Sequence, residues 1–310
     1  MTGHVLTGLL AVVSLSLAGA STAAEKGAPS QRPHDADKER LVLDDMVDVT
    51  DWYNGSPEET EISSSDQHAD GAGRALLFAN VVDHTKGEKN YPIGWPRTGK
   101  DMAQSGIPSD WSEWDFFECR IYAETSRERL PGTPVNVGFY HTGPKRSTGF
   151  PLKQVEKDRW TQIVIPISGL IAPADVRRVQ FNISESSYRH GDRVDFYLAD
   201  VALTRFVHPV IAELSLRRKL LYSADRRITA CYTLMGRKGL DEVTVEFEIG
   251  RDGKPAAQAG GKASRHGELP LRFAAPLAPG SYSATLRLRD AAGAVVDQSQ
   301  AEFRVIEGPF

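Results

Sequence analysis

The sequence predicts an all-β protein of two consecutive sandwich domains, and three observations predict it. Apolar and polar residues alternate with period two from about residue 41 onward, while apolar residues at three-and-four spacing are scarce. Gly, Pro, Asn and Asp punctuate the gaps between the alternating stretches. The character then changes at His208-Pro209, because all five tryptophans lie between Trp52 and Trp160 and none follows. A chain of 310 residues is long enough for two ordinary domains.

Residues 5–20 form the one long apolar run, followed by small residues from Ala18 to Ala24. This reads as a secretory signal over residues 1–24, cleaved after Ala23 or Ala24, with a retained anchor as the alternative. It implies a secreted, periplasmic or cell-surface protein with no membrane span after cleavage. Residues 25–40 are charged, contain Pro29 and Pro33, and lack periodicity, so a flexible leader is expected there. The formal net charge of −4 supplies no basic field, which argues against nucleic acid as a partner. The two cysteines, Cys119 and Cys231, are too few for a disulfide scaffold and read as buried small residues in separate domains.

The first domain, residues 41–207, is expected to hold strands near 75–81, 116–122, 135–140, 160–167, 178–184 and 194–204. The second, residues 208–310, carries strand patterns near 211–216, 227–234, 242–249, 269–273, 280–288 and 301–305. Its Pro279-Gly280 turn and Ala291-Ala292-Gly293 hairpin fit an immunoglobulin-like or fibronectin-like sandwich.

Strand alternation also fixes which side chains face outward. The apolar set Phe117, Cys119 and Ile121 leaves Glu118, Arg120 and Tyr122 outside; Val135, Val137 and Phe139 leave Asn136 and Tyr140; Val179, Phe181 and Ile183 leave Gln180 and Asn182. If these strands share one sheet, its outer face offers carboxylate, guanidinium, amides and phenols. Such groups hydrogen-bond sugar hydroxyls and stack on pyranose rings, so a glycan is the expected ligand. A solvated face with no ligand is the alternative. The loop "NYPIGWPR" adds Tyr91, Trp95 and Arg97, and "ESSYRHGD" adds Glu185, Tyr188 and His190 as a rim. Aspartates 44, 45 and 48 near the start and 195 and 200 near the end are oxygen donors of the type a hard cation takes.

Residues 41–206 resemble the galactose-binding-like jelly-roll carbohydrate-binding modules in the order of "VLDDMVDVTDW", "WSEWDFFECRIY", "DRWTQIVIPISGL", "VRRVQFNISE" and "VDFYLADVALTRF". The resemblance implies a two-sheet jelly roll, glycan binding on a sheet face or at the loops, and a structural calcium on Asp45 and Asp200. The usual closing acidic pair is Ala199-Asp200 here. Two other functions fit the same residues. A polysaccharide lyase would use Tyr140, His141 and Arg120, and a glycosidase would pair Glu118 with Glu185. A structural envelope protein would leave the face empty.

Overall fold

The structure is a computed structural model that describes residues 38–68, 73–87, 93–143, 146–236 and 238–308. The expected signal segment, most of the leader and Tyr91 lie outside the described residues. The fold is all-β, with sheets in sandwich arrangement whose strands pair antiparallel except for one parallel pair, Leu220–Tyr222 with Val295–Ile306.

The first part contains β1 (Lys38–Asp44), β2 (Trp52–Asn54), β3 (Thr60–Ser65), β4 (Ala75–Val81), β5 (Arg97–Asp101), β6 (Phe116–Thr125), β7 (Asn136–Tyr140), β8 (Ser147–Pro151), β9 (Thr161–Pro166), β10 (Arg178–Asn182) and β11 (Arg193–Phe206). The leader therefore gives way to strand three residues earlier than expected, since Lys38 already pairs with Phe206. One sheet runs β3-β4-β11-β6-β9, with β1 also on β11; the other runs β2-β5-β10-β7-β8. Inward side chains of both, among them Phe78, Phe117, Phe139, Phe181 and Phe196, build a single core around the buried Trp111.

Strand β11 is the spine of the first sheet: β4 pairs with its first half, β1 with its second, and β6 with both. A bulge divides it between Ala199 and Ala202, where Asp200 takes a left-handed φ of 56°. The extra residue shifts the inward set from Val194, Phe196 and Leu198 to Val201 and Leu203.

After Phe206 the pairing passes to β12 (Val210–Leu216), β13 (Leu220–Tyr222), β14 (Arg227–Met235), β15 (Thr244–Arg251), β16 (Lys254–Lys262), β17 (His266–Arg272), β18 (Gly280–Arg289) and β19 (Val295–Ile306). They form a three-stranded sheet, β12-β14-β17, and a five-stranded sheet, β13-β19-β18-β15-β16, over a second core centred on Phe247, Leu286 and Leu288. Both cysteines are free; Cys119 is buried, but Cys231 is only half-buried because Ala230 and Tyr232 take the inward positions of β14.

One polar set crosses the interior of the first sandwich. Lys100 on β5 points inward, is 6 % exposed, and its ammonium is paired with Asp44 at the end of β1 and with Asp51 at 2.6 Å. Asp44 also accepts Trp52 Nε1 at 2.8 Å and the Met46 N–H at 2.6 Å. Burial opposes the charge on Lys100, but its hydrogen bonds to the two carboxylates outweigh it and leave the pKa raised. Burial likewise opposes ionisation of Asp51, and the bonds from Lys100 and Ser105 with the Lys100 charge together outweigh it, leaving that pKa lowered.

Replacing Lys100 by Met strands the Asp44 carboxylate in the core and lowers unfolding free energy by about 3–5 kcal/mol at neutral pH. Denaturant melts check this, and a loss below about 1 kcal/mol would remove the pair's role. Since the folded pKa of Asp51 is depressed, its contribution is full above about pH 4 and disappears as pH falls through the lowered value. Expressed separately, residues 38–207 and 208–310 are each expected to unfold cooperatively, because each encloses its own core. Failure of both pieces to fold while the whole chain folds would make them one unit.

Candidate functional site

The outer face of the β2-β5-β10-β7-β8 sheet carries the chemistry. Register places Tyr53, Gly99, Gln180, Gly138 and Gly149 in one row across the five strands. The next row holds Asp101, Arg178, Tyr140 and Ser147, and the row on the other side holds Arg97, Asn182, Asn136 and Pro151. All are outward because Val179, Phe181, Val137 and Phe139 occupy the core positions between them.

Two glycines let two rings lie down on this face. A Cβ at Gly99 would stand 2.7 Å from Tyr53 Cε1, and one at Gly138 would stand 3.2 Å from Tyr140 Cε2. With hydrogen in those places, both rings reach across toward Gln180 on the central strand. The Tyr53 hydroxyl donates to Gln180 Oε1, and Gln180 Nε2 donates to the Tyr140 oxygen at 3.0 Å. Gln180 is 7 % exposed and uses both ends of its amide in this bridge. The bridge leaves the Tyr140 O–H proton with no acceptor among the described residues. Arg178 lies 4.8 Å from the Tyr53 ring centroid and 6.0 Å from that of Tyr140, and is held by Asp101 at 3.0 Å. Beside this set, Asn182 Nδ2 is buried without a hydrogen-bond partner.

Burial raises the Tyr53 pKa against the opposing charge of Arg178, so the phenol stays protonated and acts as a donor. For Arg178, burial works against the charge, and the bonds and charge interactions with Asp101 and Tyr53 together outweigh it and raise the pKa. The face therefore presents phenols, amides and a neutralised ion pair. These are groups that bind hydroxyls and ring faces.

Of the residues expected from sequence, the structure gathers Arg97, Asn136, Tyr140, Gln180 and Asn182 on this sheet. Trp95 is 42 % exposed immediately before β5, in position for a rim. Tyr53, Asp101 and Arg178 were missed. Arg178 had a visible signal, since the alternation that turns Gln180 and Asn182 outward turns it outward too. Tyr53 sits in a three-residue strand whose only signal is the inward Trp52 before it.

Glu118, Arg120 and Tyr122 must be removed from the site, because β6 belongs to the opposite sheet and faces the other way. There they are spent within the chain. Glu118 takes Lys38 at 3.1 Å and the Thr204 hydroxyl at 2.6 Å; Arg120 pairs with Asp200 at 2.6 Å and lies 4.9 Å from the Trp160 ring; Tyr122 is stacked under His68 at 4.0 Å. Both enzyme sets come apart with them. Arg120 is on the wrong sheet for Tyr140, and His141 turns into its own hairpin, bonding the Thr142 carbonyl at 2.9 Å. Glu118 lies on β6 in the opposite sheet, and Glu185 is fully buried just after β10.

The "YRHGD" turn is mainly structural. Tyr188 is 4 % exposed with its hydroxyl on the Pro134 carbonyl at 2.7 Å, and burial raises its pKa, so it leaves the rim. Gly191 provides a φ of 84° for the reversal, and Asp192 caps it by accepting the Arg189 N–H at 2.7 Å. His190 alone of the three proposed rim residues in this segment stays exposed, 3.5 Å from Asp83. The residues named for calcium do not fit a hard cation as placed. Both oxygens of Asp200 face arginines, Arg120 at 2.6 Å and Arg40 at 3.4 Å, while exposed Asp45 closes a turn by accepting the Val47 N–H at 3.0 Å.

No family model and no curated protein matches this chain. Among solved structures it is similar to a glycoside hydrolase domain of Endo-D from Streptococcus pneumoniae R6, at 13 % identity over 82 % of this chain and 37 % of that one, TM-score 0.27. It is also similar to a β-glucuronidase from Ruminococcus gnavus in complex with D-glucuronic acid, at 14 % identity over 68 % of this chain and 36 % of that one, TM-score 0.25. The chain thus spans little more than a third of either structure's length. Likeness at this level carries no argument about what the chain does.

Proposed function

We propose that this is a secreted carbohydrate-binding protein that holds a glycan on the outer face of the β2-β5-β10-β7-β8 sheet and releases it unchanged. The observation that carries this reading is the pair of tyrosines laid over Gly99 and Gly138 and bridged by Gln180. Their rings suit the apolar faces of pyranoses, and the unused Tyr140 proton suits a sugar oxygen. Ordering costs are small because the glutamine already fixes both phenols. Arg178 and Asp101 neutralise one another, so the centre of the face favours hydroxyl-rich ligands over strongly charged ones. Trp95 and Arg97 would border the chain of sugars at one end. Export rests on the apolar segment at residues 5–20.

A glycan array identifies the ligand. Tyr53→Ala and Tyr140→Ala are then expected to weaken retention by about 1–3 kcal/mol each, as aromatic anchors do. Tyr122→Ala, on the opposite sheet, is expected to leave affinity unchanged. Equal affinity in all three variants would dismiss this face. Shortened or unsaturated sugar products that vanish in the Tyr140 variant would turn the face into a catalytic cleft.

A further inference from the structure

Glu59, just before β3, and Glu185, just after β10, meet beside Gly94. The two side chains are 9 % and 0 % exposed, and Glu59 Oε1 and Glu185 Oε2 are buried with no hydrogen-bond partner. Gly94 is glycine for a reason: a Cβ there would collide with Glu185 Oε2 and stand 3.2 Å from Glu59 Oε2. Both carboxylates therefore converge on one Cα. The segment that carries Glu185 also holds the backbone around Trp95, through Glu185 N–H to the Gly94 carbonyl at 3.4 Å and Ile183 N–H to the Pro96 carbonyl at 3.1 Å.

An unpaired buried carboxylate takes up a proton or a cation. A hard cation wants six to eight oxygens. Among the described residues no group of three or more acidic, histidine or cysteine side chains is arranged to hold a metal. The nearby Asp83 commits one oxygen to the Thr85 N–H at 2.9 Å and hydroxyl at 2.6 Å, and Lys86 turns to Glu58 at 3.6 Å. His84 bonds the Glu185 carbonyl at 3.1 Å and His190 lies against Asp83, so neither imidazole serves the orphan oxygens. A proton on one of the two relieves the repulsion that two buried carboxylates converging on one Cα would otherwise carry.

We propose that Glu59 holds that proton and so keeps the Gly94–Pro96 backbone in place, and that its loss puts two like charges beneath Gly94 and releases Trp95. Burial first, then the charges of Glu185 and Asp83, push the Glu59 carboxyl up to about 7, with Lys86 opposing and Glu58 adding a little. The sign follows from linkage. The folded chain keeps a proton that the unfolded chain loses near its ordinary value of 4.5, so stability falls as pH rises from about 4.5 through about 7 and is flat beyond.

The test uses the full chain and does not depend on a glycan. Trp95 emission, taken as the difference between wild type and Trp95→Phe, is expected to shift with a midpoint near pH 7 and to stay flat in a Glu59→Gln background. The wild-type unfolding constant is expected to rise at least about tenfold more than that of Glu59→Gln between pH 5 and pH 8. The shift is expected to persist in His84→Gln and His190→Asn. Should Glu59→Gln fail to fold, a carboxyl-carbon NMR titration of the wild type decides. A Glu59 midpoint at an ordinary carboxylate value, or the same pH response in both proteins, overturns the proposal. A rise in melting temperature with calcium chloride at pH 8 that Glu59→Gln abolishes also overturns it, by making the pair a cation site.

Discussion

The buried ammonium of Lys100 ties the two sheets of the first sandwich together and sets the parity of β5. With Lys100 turned inward to Asp44 and Asp51, Gly99 and Asp101 must face outward. Gly99 then provides the bare floor under Tyr53, and Asp101 stands beside Arg178. A slip of one residue would expel the ammonium and bury a carboxylate. Ion pairs of this kind are weak contributors to net stability and strong selectors of register, since the alternatives leave an unpaired charge.

The two outer faces of this sandwich use similar residues to opposite ends. On the β3-β4-β11-β6-β9 sheet, His68 and Trp160 lie over Tyr122 and Tyr197, and Arg120 is consumed by Asp200. These contacts cover the rings and bury Tyr197 to 2 % exposure. On the other sheet the tyrosines are braced from beneath, and one hydroxyl proton remains for a partner. Composition alone does not separate these cases; what covers the rings does.

That difference also explains what was legible. Alternation in Phe117-Cys119-Ile121 and in Val137-Phe139 correctly separates inside from outside along each strand. It is silent about which sheet a strand joins, and in a sandwich the outsides of two sheets point apart. Glu118 and Gln180 thus read alike and lie on opposite surfaces. The short β2 and β5 escaped notice because β2 has the single inward residue Trp52, and the inward positions of β5 include Thr98 and Lys100, which no hydrophobic pattern marks. Tyr188 and Glu185 read as polar loop residues, and their burial depends on partners distant in sequence, Pro134 for one and Asp83 for the other. The bulge at Asp200 was missed, since 194–204 reads as one strand, although the switch in apolar parity from Leu198 to Val201 is its trace in the sequence.

The placement of β11 bears on how the chain is made. The spine strand is the last of the first sandwich to leave the ribosome, yet β1 has no other paired strand among the described residues and β4 reaches β6 only through it. At ordinary elongation rates of roughly 5–20 residues per second, β1 waits on the order of ten seconds for its neighbour. During that interval the apolar faces of β4 and β6 stand open with unpaired edges, exposed to any other nascent strand nearby. The order of synthesis therefore keeps the first sandwich from closing until its last strand has emerged.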